Sequence, residues 1–328
     1  GLQREDTRLQ IMLQDRLGSI YDLGEGYEVS LMKYSENYNW MIRSQKGKYA
    51  MRLCRPGYHS KEELDAELLW IRELEYSTDI HMPRVIPNSD GRLLSELCGY
   101  YCTMFSFLEG KILREIEGEN ADKYLSEVGK IAAKLHMQVQ NWAPSRSLKR
   151  FKWDVEDLLG ENSRVGNWKE NSFLTEEQIP VLEEAVRIIR RRLEDYGRGA
   201  DRYGLIHSDL NINNVIVDGN LVQILDFDDC GFGWFLYDLS TSVLEYDKEI
   251  RKKINAWMHG YESIRTLSEE DRKMIPTFIV MRKIVRIGWI ASHMENDTVK
   301  KVPTDYYEQT VKMAQAYVNS NGNDFGFR

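Results

Sequence analysis

His207, Asp209 and Asn214 stand in the spacing H-x-D-x-x-x-x-N, and Asp226-Phe227-Asp228-Asp229 follows shortly after. A carboxylate and an amide so spaced suit phosphoryl transfer, the first as a base for a hydroxyl proton and the second as a cation ligand. Between the two groups, Val215-Ile216-Val217 and Leu221-Val222-Gln223-Ile224-Leu225 are short β-prone runs. Asp218-Gly219-Asn220 separates them and signals a tight turn. A hairpin folded at Gly219 sets Asn214 opposite Gln223 or Ile224. Asp226 then lies about two or three residues along the same ribbon end, at roughly 3.4 Å per residue. This geometry gathers Asp209, Asn214 and Asp226, oxygen ligands of the kind Mg²⁺ takes together with nucleotide phosphates. Any one Asp or Asn here reads equally as a turn residue. Strands that look buried and lead into several carboxylates need a further reason, because unpaired charge near a core is costly.

The elements that must position these groups divide by composition. Strand-like runs cover Tyr27 to Tyr34, Tyr38 to Arg43, Tyr49 to Cys54 and Tyr100 to Leu108. Between them a helix starts at Ser60, with Glu63 completing a capping-box pattern. Leu64, Leu68 and Ile71 form its apolar stripe, and Glu67 falls on the same inward face. A carboxylate there needs a cationic partner, and Arg52 on the preceding strand is the candidate. From about residue 118 helices dominate, over 124–142, 175–195, 249–263, 269–293 and 304–319. The expected class is α+β, with a small β-rich N-lobe at 1–105, a hinge at 106–110 and a larger helical C-lobe at 111–328.

The chain has 328 residues, 42% hydrophobic and 29% charged, as expected of a folded soluble protein. Its net charge of −8 argues against nucleic-acid binding, which needs basic surface. No run of about eighteen apolar residues suggests a membrane span, and the N-terminus lacks a signal-peptide core. Cys54, Cys98, Cys102 and Cys230 show no paired metal spacing, so free thiols in a reducing cytoplasm are expected. The oligomeric state is left open.

These residues, and the run Asp226-Phe227-Asp228-Asp229-Cys230-Gly231-Phe232-Gly233-Trp234-Phe235-Leu236-Tyr237-Asp238-Leu239, resemble the aminoglycoside phosphotransferase and choline kinase-like family, relatives of the protein kinases. The group includes homoserine kinase-like and stress-response kinase-like proteins. The resemblance is sharpest over 205–240 and implies a two-lobed protein-kinase-like fold. It implies ATP and Mg²⁺ as cofactors and a hydroxyl-bearing small molecule as acceptor. By it, Asp209 is the catalytic base, and Asn214 and Asp226 hold the metal. Tyr49-Ala50-Met51-Arg52 resembles the strand that carries the phosphate-gripping lysine, here an arginine, with Glu67 its orienting partner. The backbone of Ser106 and Leu108 is then the adenine-binding hinge. His207 supports the loop, and Asp238 resembles the helix-start carboxylate that holds the loop backbone. Asp228 and Asp229 support the metal, face the acceptor, or are solvated. The phosphate-covering loop, Ser35-Glu36-Asn37-Tyr38, contains no glycine.

The acceptor is expected among Trp257, Tyr261, Arg282, Arg286, Trp289 and His293, of which the last four share one helix face. That face suits an anionic acceptor or a packed salt-bridge surface. Two other readings fit the sequence. One is a protein Ser/Thr kinase, against which stands the short span from Asp226 to Asp238. The other is a non-catalytic nucleotide-binding scaffold, suggested by Arg52 and the glycine-free loop.

Overall fold

The computed structural model describes residues 2–34, 37–296, 299, 302–303 and 305–327; Ser35 and Glu36 of the expected phosphate-covering loop lie outside them. In chain order the first elements are α1 (Leu2–Arg16), β1 (Glu28–Tyr34), β2 (Tyr38–Ser44), β3 (Gly47–Leu53), α2 (Lys61–Ser77), β4 (Val85–Ile86), β5 (Ser95–Leu97) and β6 (Tyr100–Ser106). Then come β7 (Lys111–Ile112), α3 (Glu119–Gln140), α4 (Val155–Leu159), α5 (Gln178–Tyr196), β8 (Tyr203–Ile206), β9 (Val215–Asp218) and β10 (Leu221–Ile224). The chain ends with β11 (Gly231–Trp234), α6 (Tyr237–Val243), α7 (Ile250–Glu262), α8 (Glu269–Lys273), α9 (Ile275–Ser292) and α10 (Tyr306–Asn319). None of the described helices is long and apolar enough to cross a membrane.

Two compact units result. The first comprises Gly1–Lys111, Ser147–Arg150 and Asp218–Asp228, so it takes in two short segments from the later chain. Its sheet is antiparallel, in the order β1-β2-β3-β6-β4, with β5 also on β6. Alternation fixes the register: Tyr38, Trp40 and Ile42 of β2 point into the core beside Met51 and Leu53 of β3. Leu9, Leu13 and Leu17 cover that core from α1 and its short continuation. Helix α2 begins at the capping box of Ser60 and Glu63, which satisfies two backbone donors reciprocally. Leu64, Leu68, Ile71 and Leu74 then bury one face, and Glu67 is buried with them.

The second unit comprises Ile112–Arg146, Phe151–Val217 and Asp229–Arg328 and is mainly helical. Its antiparallel pair β8 and β11 joins Ile206 to Gly231 and Tyr203 to Trp234. The pair ends where the His207 segment begins. Sequence periodicity reads 269–293 as one helix. The chain instead breaks at Met274, which closes α8 and opens α9, because Pro276 lacks the amide that a continuous helix needs.

Helices α3 and α7 touch backbone to backbone. A methyl built on Gly129 would stand 2.0 Å from the carbonyl oxygen of Trp257, and one on Gly260 1.7 Å from that of Ser126. Neither neighbour is a side-chain tip that can swing aside. Gly129→Ala is therefore expected to destabilise the protein by about 1–3 kcal/mol, against the usual gain from removing a helical glycine. Urea unfolding checks this, and a variant as stable as the parent would mean that the helices separate freely.

Candidate active site

The loop after β8 is held by α6. Asp238 is fully buried, and its Oδ1 accepts the backbone N–H of Ser208 at 2.8 Å. Its Oδ2 meets His136 Nε2 at 2.8 Å, and His136 Nδ1 meets the Tyr261 hydroxyl at 2.7 Å. Burial pushes the His136 pKa down, and the neighbouring Asp238 only partly opposes it. The ring is therefore neutral, with Nε2–H donating to Asp238 and Nδ1 accepting from Tyr261. Further along, the Thr241 hydroxyl accepts the Leu210 N–H at 3.1 Å, and the Ser242 hydroxyl donates to the Leu210 carbonyl at 2.7 Å. Ser208 itself has φ of 69°, a left-handed conformation that costs a non-glycine residue about 1–3 kcal/mol. Its hydroxyl donates to the Asp229 carbonyl at 2.7 Å, which helps to hold it there.

That clamp presents Asp209. His207 is buried, and its Nδ1 accepts the Asp209 N–H at 3.1 Å, a supporting role. Asn211 Nδ2 donates to Asp209 Oδ1 at 2.6 Å. Asn214 Nδ2 donates both to Asp209 Oδ2 and to its backbone carbonyl, each at 2.9 Å. Both amide hydrogens of Asn214 are thus directed at Asp209, and its Oδ1 is left as an acceptor for a cation. An ionised carboxylate has about four acceptor sites, so a group held this way could take a hydroxyl proton.

A second ionic cluster lies in the sheet-containing unit. Arg52 Nη1 and Nη2 meet Glu67 Oε2 and Oε1 at 2.9 and 2.6 Å, a buried bidentate pair. Asp228 Oδ1 lies 3.5 Å from Arg52 Nη1 and 3.2 Å from His59 Nε2. Asp228 is therefore not a solvated residue. Burial alone raises its pKa, but His59, Arg52 and Arg150 outweigh that and bring it to about 2. Arg150 donates to the carbonyls of Asp228 at 2.7 Å and Glu63 at 2.8 Å, and Phe227 meets Trp70 edge-on at 5.3 Å. The Arg52 Nε–H is buried and has no hydrogen-bond acceptor among the described residues, which fits an anionic oxygen from a nucleotide. Asp226 is exposed, with φ of 63°, and its Oδ1 accepts the Asp228 N–H at 3.1 Å. Among the described residues no three His, Cys, Asp or Glu gather as a metal cage. Mg²⁺ seldom uses one, since it takes one or two protein oxygens plus phosphates.

Ser106 ends β6, and its N–H donates to the Arg84 carbonyl at 2.9 Å, so only its carbonyl could read an adenine edge. Leu108 lies in the link that follows. The carbonyl of Asp229 accepts from Trp153 Nε1 at 2.7 Å as well as from Ser208. The expected acceptor residues separate. Trp257 and Tyr261 are fully buried and stacked 5.0 Å apart, so they are core and not pocket wall. Trp289 stacks on His293 at 4.2 Å, and Arg286 pairs with Glu245 at 3.4 Å. Burial pushes the Tyr237 hydroxyl up to about 12; Arg282 draws it down while Asp209, Asp229 and Asp238 raise it. His136, Arg150 and His59 escaped the sequence reading. Only His136 carried a signal, being in phase with Val128 and Ala132 of the α3 stripe.

A family model described as the phosphotransferase enzyme family matches residues 33–269. Amicoumacin kinase of Bacillus subtilis is 22% identical over 289 residues, covering 83% of this chain and 82% of the relative. Homoserine kinase of Sinorhizobium medicae is 25% identical over 323 residues, covering 92% and 93%. Among solved structures, a microcompartment-associated aminopropanol kinase aligns with a TM-score of 0.84 and 30% identity, over 96% of this chain and 99% of that one.

The charge on Asp228 is expected to stabilise the fold by about 2 kcal/mol at neutral pH, given its depressed pKa. A depressed carboxylate pKa gives stability that is complete above the ordinary value and fades as pH falls toward the folded one. Asp228→Asn is thus expected to be less stable at pH 7, with the gap closing between pH 3.8 and about 2. A gap constant across that range, measured by denaturant unfolding, would remove the ionic role.

Proposed function

Since this chain belongs to the phosphotransferase enzyme family, we propose that it transfers the γ-phosphoryl group of ATP to a hydroxyl of a small molecule. The observation that carries this reading is Asp209, held by Asn211 and Asn214 on a loop clamped by Asp238. Its role is to orient the acceptor hydroxyl and take the proton as the oxygen attacks phosphorus. Asn214 Oδ1 and the exposed carboxylate of Asp226 are the protein ligands proposed for Mg²⁺. When bound, that ion would neutralise charge on the phosphates. The Arg52 Nε–H is proposed to meet a phosphate oxygen, while Glu67 holds the guanidinium in place. The Ser106 carbonyl and the backbone of Leu108 are proposed to meet the adenine. These groups position and neutralise, and in phosphoryl transfer that is most of the work.

The relatives named above are kinases of small molecules, which supports a small acceptor. So does the short run from Asp226 to α6, which holds only β11 and leaves little room for an activation segment of the protein-kinase sort. Free cysteines support a reducing compartment, proposed as the cytoplasm.

ATP turnover with Mg²⁺ over a panel of amino alcohols, hydroxy amino acids, aminoglycosides and sugars tests the activity. Asp209→Asn is expected to lower kcat by about 10²–10⁴-fold while nucleotide affinity changes little. Full transfer by that variant would sink the base assignment. Chelation of divalent cations is expected to stop transfer, and added Mg²⁺ to restore it; turnover unaffected by chelation would contradict the metal role of Asn214 and Asp226.

A further inference from the structure

Arg282 and Arg286 sit one turn apart on α9, in different surroundings. Arg286 is engaged, paired with Glu245 at 3.4 Å and lying 4.8 Å over the ring of Tyr306. Arg282 is not. Its Nε and Nη1 are buried, yet neither reaches a hydrogen-bond acceptor among the described residues. A guanidinium stays charged at any pH a protein meets. Burying its N–H groups without acceptors is costly, so the arrangement points to an anion that arrives with a ligand.

Arg282 lies on the Asp209 side of the helical unit. Arg282 and Asp209 both act electrostatically on the buried Tyr237 hydroxyl. A chain of polar contacts also joins the Asp209 loop to α9. Asn213 Oδ1 accepts from Arg114 Nε at 2.6 Å, Arg114 pairs with Glu245 at 3.2 Å, and Glu245 reaches Arg286. Two of the acids that act on the same Tyr237 hydroxyl are occupied elsewhere. Asp238 accepts from Ser208 and His136, and Asp209 from the two asparagines.

We propose that Arg282 receives a carboxylate of the acceptor, so that the enzyme selects small hydroxy acids, hydroxy amino acids included, over amino alcohols that lack the acid group. This rests on the reading of Asp209 as the base. A planar guanidinium matches a planar carboxylate. Arg282 shares the Tyr237 hydroxyl with Asp209, Asp229 and Asp238, and so much negative charge suits a singly charged group better than a doubly charged phosphate.

Matched pairs test the proposal, each a hydroxy amino acid against the same molecule without its carboxylate: L-threonine against 1-amino-2-propanol, and L-homoserine against 3-amino-1-propanol. Glycerol phosphate serves as the phosphate arm. The parent is expected to favour the acid of at least one pair in kcat/KM. In Arg282→Gln that preference is expected to fall by about 10–100-fold, mostly through KM, the usual effect of losing a charged hydrogen bond. Arg282→Lys should recover part of it. A parent that favours the amino alcohols or glycerol phosphate overturns the proposal, as does a preference unchanged in the variant. An equal loss of ATP affinity would reassign Arg282 to the nucleotide and overturn it too. Calorimetric binding of the same compounds to the ADP-loaded protein repeats the comparison without chemistry. Acid binding that depends on Arg282 but leads to no transfer would refute the phosphotransfer reading and leave this inference standing; no acid binding at all would refute this inference.

Discussion

A carboxylate with no access to water must find its hydrogen bonds inside the protein, and Asp238 finds them in two places at once. One oxygen holds the backbone of Ser208, and the other holds His136, which is held in turn by Tyr261. This one buried group therefore ties α3, α6 and α7 to the residue just before Asp209. Removing it would leave two buried donors, the Ser208 N–H and His136 Nε2–H, without acceptors, a costly loss in a dry interior. It also explains how Ser208 keeps a left-handed backbone: its N–H and its hydroxyl are both anchored, so the strain cannot relax locally.

The sheet-containing unit uses a different logic. Arg52 and Glu67 form a buried fork, and Asp228, His59 and Arg150 extend it. A lysine could balance the charge of Glu67, but its ammonium lacks the planar fork that meets both carboxylate oxygens in parallel. The guanidinium has that fork, with its two Nη groups on Glu67 and Nε facing elsewhere. Trp70 against Phe227 and the reach of Arg150 then fix the Asp226 segment to α2.

Much of this was legible in the sequence because it is local. The capping box at Ser60, the inward phase of Glu67 and the turn at Gly219 each follow from neighbours a few residues apart. The Asp209 and Asn214 pair belongs to the same class, since it closes within one loop. The rest depends on tertiary contacts that spacing does not encode. His136 and Asp238 lie far apart in the chain, as do Arg150 and Asp228. The α9 stripe shows the limit well. Periodicity put Arg282, Arg286, Trp289 and His293 on one face, but only the surrounding helices decide which of them has a partner. Trp257 and Tyr261 shared the aromatic character of a pocket wall and proved to be core, because burial and not residue type separates the two.

The bare crossing of α3 and α7 reaches further than packing. Gly260 stands next to Tyr261 on α7, and His136 lies on the same α3 as Gly129. The separation of the two helix axes therefore sets the gap that the His136 and Tyr261 hydrogen bond must bridge, and Asp238 passes that setting on to the Ser208 backbone. Two absent methyl groups act as the gauge blocks of the reactive loop. Its alignment is set from positions outside the Asp209 loop itself, so a change there would shift that loop as well as loosen the helix pair.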